Sequence, residues 1–286
     1  MFNIPVKTIF PALLSSMLIL AGVFRASAQN ADYSPKELEK IDVVERLGDT
    51  IPLDLTFQDD TGKTVELGDY FNQGKPVILI LAYYECPMLC TLVLNGMSQG
   101  VGTLSWTPGK EFQMVTVSID PRETPELAAG KKKIYLENLS KPVEGNGWAF
   151  LVGEESQSKA LADAVGFKYF YDEKNKQYGH PAVAFILTEE GKLSRYLYGV
   201  EFKPRDLKLA LLEASEGKIG STLDRIILYC YHYDADSQGY AIFASNVMKL
   251  GGAVTLVIVL IFLGIMWVRE RRKTKAVARG DRGPGN

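Results

Sequence analysis

Pro76-Val-Ile-Leu-Ile-Leu-Ala-Tyr83 runs without a charge into Tyr84-Glu85-Cys86-Pro87-Met88-Leu89-Cys90. A continuous apolar run of strand length predicts a central strand buried on both faces, the kind found in parallel sheets covered by helices. Helical spacing follows to about Leu104, so both cysteines fall at a strand-to-helix junction. Upstream, Leu53, Leu55 and Phe57 alternate, Asp59-Asp60-Thr61-Gly62 turns the chain, and Thr64-Val65-Glu66-Leu67 resumes it as a hairpin. Downstream, strands are expected at Phe112 to Ile119 and Trp148 to Val152, with helices at Pro125 to Asn138 and Ser156 to Val165. Alternating strands and helices imply parallel pairing. Ala182 to Leu187, a turn at Glu189-Glu190-Gly191-Lys192 and Leu193 to Tyr198 predict a second hairpin. A closing helix from Arg205 to about Glu216 takes its apolar residues from Leu207, Leu209, Leu211 and Leu212. This order predicts an α/β, thioredoxin-like fold with an added N-terminal hairpin and a central insertion.

The composition excludes several function classes. The 286 residues are 47% hydrophobic and 23% charged, which is the make-up of an ordered globular chain. Lys and Arg number 32 against 34 Asp and Glu, so no basic field exists to attract a nucleic-acid partner. Three cysteines, Cys86, Cys90 and Cys230, cannot staple a chain of this size, and the core must be held by apolar burial. Two histidines, His180 and His232, exclude sites built from three imidazoles, so a metal site here needs sulfur.

Both ends of the chain read as targeting segments. Lys7, the apolar stretch from Ile9 to Val23 and Ala26-Ser27-Ala28 form a signal-peptide pattern, with cleavage expected after Ala28. Leu250 to Val268 carries no charge and has the length of a transmembrane helix. Arg269, Arg271, Arg272, Lys273, Lys275, Arg279 and Arg282 follow it, against Glu270 and Asp281, which marks the tail as cytoplasmic. The expected organisation is a signal peptide at 1–28 and an arm at 29–52, helical around Pro35 to Arg46. A thioredoxin-like domain then spans 53–217, a juxtamembrane linker 218–249, a single C-terminal transmembrane helix 250–268 and a basic tail 269–286. The functional domain would face the exported, periplasmic side.

Cys86 and Cys90 are four apart, a spacing that puts two residues of a first helical turn on one face. A helix N-terminus favours thiolate over thiol, and Pro87 suits a position where no backbone donor is needed. Three residues separate the cysteines, where thioredoxin-type redox motifs have two. The wider spacing permits a disulfide and leaves room for two thiolates to clasp an ion. Soft sulfur ligands select Cu(I), whereas structural zinc wants four protein ligands. His180, just before Pro181, lies on the loop that a thioredoxin-like fold brings to the cysteine helix, which completes a set of two sulfurs and one nitrogen.

The segment Tyr83 to Cys90, the run Ser118-Ile119-Asp120-Pro121-Arg122-Glu123-Thr124, and His180 with Phe185-Ile186-Leu187 and Gly191 resemble the Sco/SenC family. The resemblance spans roughly Leu53 to Glu216. It implies a thioredoxin-like, membrane-anchored copper protein that helps assemble the CuA centre of cytochrome c oxidase, with Cys86, Cys90 and His180 as copper ligands. The partner would be a copper-receiving, CuA-type oxidase subunit. The chain departs from the family pattern at three places. Met88 stands where Asp is common. Pro181 follows the histidine where a hydroxyl residue is usual, and resembles the cis-proline of thioredoxins. The expected anchor is C-terminal.

The resulting reading is a copper-binding assembly factor, not a turnover enzyme. Its main alternative is a thiol-disulfide oxidoreductase, with Cys86 and Cys90 catalytic, that keeps oxidase cysteines reduced for metal loading. A peroxidase-like redox sensor, with a sulfenic acid on Cys86, is the third. Asp120-Pro121-Arg122 reads either as a tuner of the dithiol or as a loop cap with Arg122 paired to a carboxylate. Cys230 and His232, in Tyr229-Cys230-Tyr231-His232-Tyr233-Asp234, read either as a second copper-handling point or resolving thiol, or as part of an aromatic juxtamembrane linker.

Overall fold

The computed structural model describes residues 41–86, 88–216, 231–234, 239–242 and 244–280; beyond residue 216, side chains are described only at 248–249 and 251–267. The expected signal peptide lies outside these residues, as do positions 29–40 of the arm.

The described chain begins with a short strand, β1 (Asp42–Val43), where the spacing over Pro35 to Arg46 predicts helix. Asp42 and Val43 instead pair antiparallel with Lys168 and Phe167. The arm continues as a strap: Val44 N–H donates to Gly166 O, Gly48 N–H to Leu193 O and Ile51 N–H to Gly191 O. A short polar helix is marginal alone, and an open backbone edge nearby offers the same hydrogen bonds with burial added. Ile51 is buried, so residues 41–52 of the arm belong to the folded unit. The Tyr196 hydroxyl ties the strap down, accepting from Arg46 N–H at 2.9 Å and donating to Val165 O at 3.0 Å. Tyr196→Phe is expected to lower stability by about 1–3 kcal/mol, because it removes the donor to the buried Val165 carbonyl and the acceptor of Arg46 N–H. A urea midpoint unchanged from the parent would contradict that.

The expected first hairpin forms from β2 (Thr56–Gln58) and β3 (Thr64–Glu66). Its turn is set by Asp59 Oδ1, which accepts from Thr61 N–H and Lys63 N–H. A 3-10 turn at Leu67–Tyr70 leads to β4 (Val77–Ala82), buried at every position as its composition predicts. Next come α1 (Leu89–Gly102), β5 (Gln113–Ser118), α2 (Pro125–Asn138), β6 (Trp148–Leu151) and α3 (Glu155–Ala164). Thr124 caps α2, with Pro125 in its first turn.

The insertion then unfolds as β7 (Phe167–Lys168), β8 (Phe170–Asp172) and β9 (Gln177–Gly179). β8 and β9 form a hairpin around Asp172, whose carboxylate accepts from Lys174 N–H and Asn175 N–H. The second expected hairpin follows as β10 (Val183–Leu187) and β11 (Leu193–Tyr198), then α4 (Pro204–Ala214).

The main sheet has the order β11-β10-β4-β5-β6, with β4, β5 and β6 parallel and β10 antiparallel to β4. This is the thioredoxin-like α/β architecture expected. Ala184 pairs with Ile80 and Leu187 with Val77, so each step toward the start of β10 is a step toward the end of β4. The register therefore delivers the residues before β10 to the chain that leaves β4.

Within the expected linker, β12 (Tyr231–Asp234) and β13 (Gly239–Ile242) form a small antiparallel hairpin. A helix, α5 (Ala244–Gly280), closes the described chain and extends beyond the expected 250–268 at both ends. Among the described residues no helix is long and apolar enough to cross a membrane, so the transmembrane assignment gains no support from the structure. The positions described with side chains, 251–267, are uncharged and exposed but by themselves fall short of the roughly 20 residues a bilayer span needs.

Candidate metal centre

Where β4 ends, Ile119 N–H donates to Ala82 O and the chain turns sharply, with Cys86 N–H reaching Tyr83 O at 3.3 Å. The first helical residue of α1 is Leu89, so Cys86 lies ahead of the helix and Cys90 in its first turn. The shared helix face expected from the four-residue spacing is thus replaced by another arrangement. Met88, at the cap position, offers no side-chain hydrogen bond, and Cys86 Sγ accepts from Cys90 N–H at 3.3 Å instead. One sulfur thereby meets an unsatisfied donor that a serine or aspartate cap would ordinarily take. Cys90 Sγ in turn accepts from Tyr83 N–H at 3.4 Å. Both cysteines are free and buried.

His180, between β9 and β10, arrives by the register described above. It is 5% exposed, and its Nε2 lies 2.8 Å from Cys90 Sγ. Its Nδ1 is 2.9 Å from Pro181 O. A carbonyl can only accept, so Nδ1 carries the proton in the neutral ring, and the Nε2 lone pair faces the sulfurs. A backbone carbonyl that fixes the tautomer of a metal-ligating histidine is the usual outer support of such sites. The edges of Tyr83 and the ring of Phe167, each 6.0 Å from the imidazole centroid, hold its plane. The His180–Pro181 bond is trans, so the likeness of Pro181 to the thioredoxin cis-proline does not hold. Its carbonyl serves the imidazole instead.

The two thiols are electrostatically unequal. The Cys86 thiol is pushed well below the ordinary thiol range, chiefly by the hydrogen bond from Cys90; burial opposes this, and the Cys90 and Met88 amides add to it. Cys90 moves the other way, raised by burial first and then by the negative charge on Cys86. Ionisation is thus favoured at Cys86 and opposed at Cys90, and the pair titrates as a unit. The donor atoms of Cys86, Cys90 and His180 all lie within 4.8 Å of one another, close enough to close on a single ion. Two sulfurs and an imidazole nitrogen suit a soft, low-coordinate cation, and they are not the oxygen donors that a hard one takes.

The other residues singled out in the sequence divide clearly. Arg122 forms a two-point pair with Asp120, Nε to Oδ1 at 2.8 Å and Nη2 to Oδ2 at 2.6 Å, and lies over the Tyr171 ring at 4.9 Å. Of the two readings of Asp120-Pro121-Arg122, the structure favours the loop cap. Met88 is 68% exposed, outside the buried trio. Cys230 lies outside the described residues. His232 is described only as a backbone position in β12, opposite Ala241, so a second metal point there falls outside what the structure describes. Sequence pattern does not single out Glu123, which lies within the run from Ser118 to Thr124. It is a buried carboxylate reaching the turn before Cys86. An acidic residue just ahead of a capped helix gave no signal of that reach.

Residues 45–213 match the family model described as SCO1/SenC. The chain belongs to the SCO1/SenC family. Among solved structures, this Sco protein is 28% identical to a protein of Aquifex aeolicus VF5 described as a candidate electron transfer protein. That match has a TM-score of 0.53 and covers 59% of this chain and 94% of the other. A second Aquifex aeolicus VF5 structure, described as a candidate electron transport protein, is also 28% identical, with a TM-score of 0.50 and coverage of 59% and 98%. Arabidopsis thaliana ScoI, solved with copper bound, is 19% identical, with a TM-score of 0.46 and coverage of 60% and 99%. No curated protein matches the chain.

Proposed function

We propose that this Sco protein binds Cu(I) through Cys86, Cys90 and His180 and hands it to the copper site of a CuA-type oxidase subunit. The observation that carries this reading is the convergence of two sulfurs and a tautomer-fixed imidazole within 4.8 Å in a buried setting. Membership of the SCO1/SenC family supports the same cargo. The ion is cargo: it enters as a ligand-exchange substrate, and the dithiol must be reduced to accept it. The test is an anaerobic Cu(I) competition titration of the full chain in detergent. One equivalent bound by the reduced protein and none after oxidation of the cysteines is the expected result; copper retained by fully oxidised protein would remove the site.

The charge state of the dithiol gives this binding a pH signature. Cys86 is already ionised near neutrality, and Cys90 keeps its proton above the ordinary thiol value of 9.0. Binding through both sulfurs then releases one proton per ion. Affinity is expected to rise about tenfold per pH unit between about pH 7 and 9, and to fall correspondingly as the medium is acidified. A flat profile would mean that Cys90 is not a ligand.

The same inequality favours a second reading, a thiol-disulfide oxidoreductase, because an ionised Cys86 beside a protonated Cys90 is the arrangement of an attacking and a resolving thiol. His180 separates the two, since thiol exchange has no need of its Nε2. We place the folded domain on the exported side of a membrane, with 250–268 as its single span and 269–286 inside, on the strength of the uncharged run and the basic tail that follows it. Protease added to intact spheroplasts should remove the domain and spare a tag on the C-terminal tail. Loss of the tag would reverse the orientation.

A further inference from the structure

We infer that Glu123 is the positioning residue of the metal centre: its carboxylate holds the Tyr84–Glu85 turn and so fixes where Cys86 presents its sulfur. The backbone donors leaving β4 show why something must do this. The ladder ends where Ala82 pairs with Ser118. Beyond it, Tyr83 N–H goes to Cys90 Sγ and Cys86 N–H turns back to Tyr83 O. The two amides between them, Tyr84 N–H and Glu85 N–H, donate to Glu123 Oε2 and Oε1, each at 2.8 Å. One carboxylate thus grips two successive peptides immediately before a candidate ligand, from 38 residues further along the chain.

Glu123 is itself fixed. Ser118 Oγ donates to its Oε2 at 2.6 Å, and Glu123 N–H donates to Asp120 O at 3.2 Å. The Asp120–Arg122 pair closes the loop between β5 and α2 around it. The side chain is buried, and among the described ion pairs none involves Glu123. A buried carboxylate without a cation carries a desolvation cost that only well-formed hydrogen bonds offset. Here those bonds go to the peptides that aim Cys86. Metal and thiol chemistry demand donor placement within about 0.5 Å, which a turn held only by its own backbone does not provide.

The argument for this grip does not require copper, but its effect on metal binding rests on the copper reading. The experiment therefore reads two properties of the folded full chain in detergent: Cu(I) affinity, and the equilibrium of the Cys86–Cys90 disulfide with glutathione. Glu123→Gln keeps the shape but turns an NH2 donor toward a peptide donor. Ser118→Ala removes one support of Glu123 and leaves its two peptide contacts. Glu123→Gln is expected to weaken Cu(I) binding about 10- to 100-fold, the range for outer supports of a metal site. The glutathione equilibrium should shift by about tenfold, and Ser118→Ala should move both readings the same way by less. Variants that melt earlier but, when folded, match the parent in both readings would overturn the inference and leave Glu123 a purely structural residue. Should Glu123→Gln fail to fold, Ser118→Ala decides by the same two readings. If the parent binds no copper, the copper reading falls alone, and the glutathione equilibrium still decides the role of Glu123.

Discussion

Cys90→Ser and His180→Ala should each reduce Cu(I) affinity by at least about 100-fold while leaving the protein folded. Outer supports of metal sites alone are worth about 10- to 100-fold, so loss of a direct ligand must exceed that. Serine replaces a soft donor by a hard hydroxyl of nearly the same size, which changes the ligand far more than the packing. Its hydroxyl can still accept from Tyr83 N–H, the bond that Cys90 Sγ now takes at 3.4 Å. Removing the imidazole leaves two sulfurs and no nitrogen, and also frees the Pro181 carbonyl that held the ring. The two variants part company in a thiol-disulfide exchange assay: Cys90→Ser abolishes turnover, and His180→Ala retains it. Parental copper affinity in His180→Ala would sink the copper reading and leave the oxidoreductase in possession of the dithiol.

Gly96→Ala is expected to be among the most damaging single-methyl changes in the helices of the domain. A Cβ at Gly96 would sit 1.9 Å from Val200 O and 2.9 Å from its carbonyl carbon; one at Gly100 would sit 2.4 Å from Phe202 O. Those atoms are backbone of the segment that leads from β11 into α4, so they cannot swing aside as a side chain could. In a helix, alanine ordinarily gains about 1 kcal/mol over glycine. The forced separation of α1 from that segment must outweigh this gain, at a cost of about 1–3 kcal/mol or more for overpacking. A fall in Tm of several degrees follows, at roughly 2–4 °C per kcal/mol for a domain of this size. Gly130→Ala, in α2, supplies the opposite sign: nothing lies within 4 Å of its Cβ, so helix propensity acts alone and Tm should rise. Equal shifts in both variants would refute the packing argument.

The elements that the sequence determined are those whose local pattern and tertiary environment agree. Val77–Ala82 is apolar at every position because it is central, and the turn at Asp59 to Gly62 carries its own hydrogen-bond acceptor. The two hairpins and the helix behind the cysteines were legible for that reason, and the meeting of His180 with the cysteines followed from the fold class they imply. Patterns of period two and three-and-a-half residues report burial directly. The arm at 41–46 was misread because its polar residues satisfy a helix period, while its partners Gly166, Phe167 and Lys168 lie more than a hundred residues away. The β8–β9 hairpin was missed because its strands are short and its turn is carried by Asp172 and Asn175 without a glycine.

Residue identity alone thus determined the chemistry available: three cysteines and two histidines, an uncharged run near the C-terminus, and no surplus of positive charge. The tertiary structure decided how that chemistry is arranged. It set Cys86 ahead of the helix rather than on its face, shifted the two thiols in opposite directions, and fixed the imidazole tautomer through Pro181 O. It also brought Glu123 to the turn before Cys86. Each of these depends on contacts of a few ångströms between residues far apart in the chain, and local spacing contains no record of such distances.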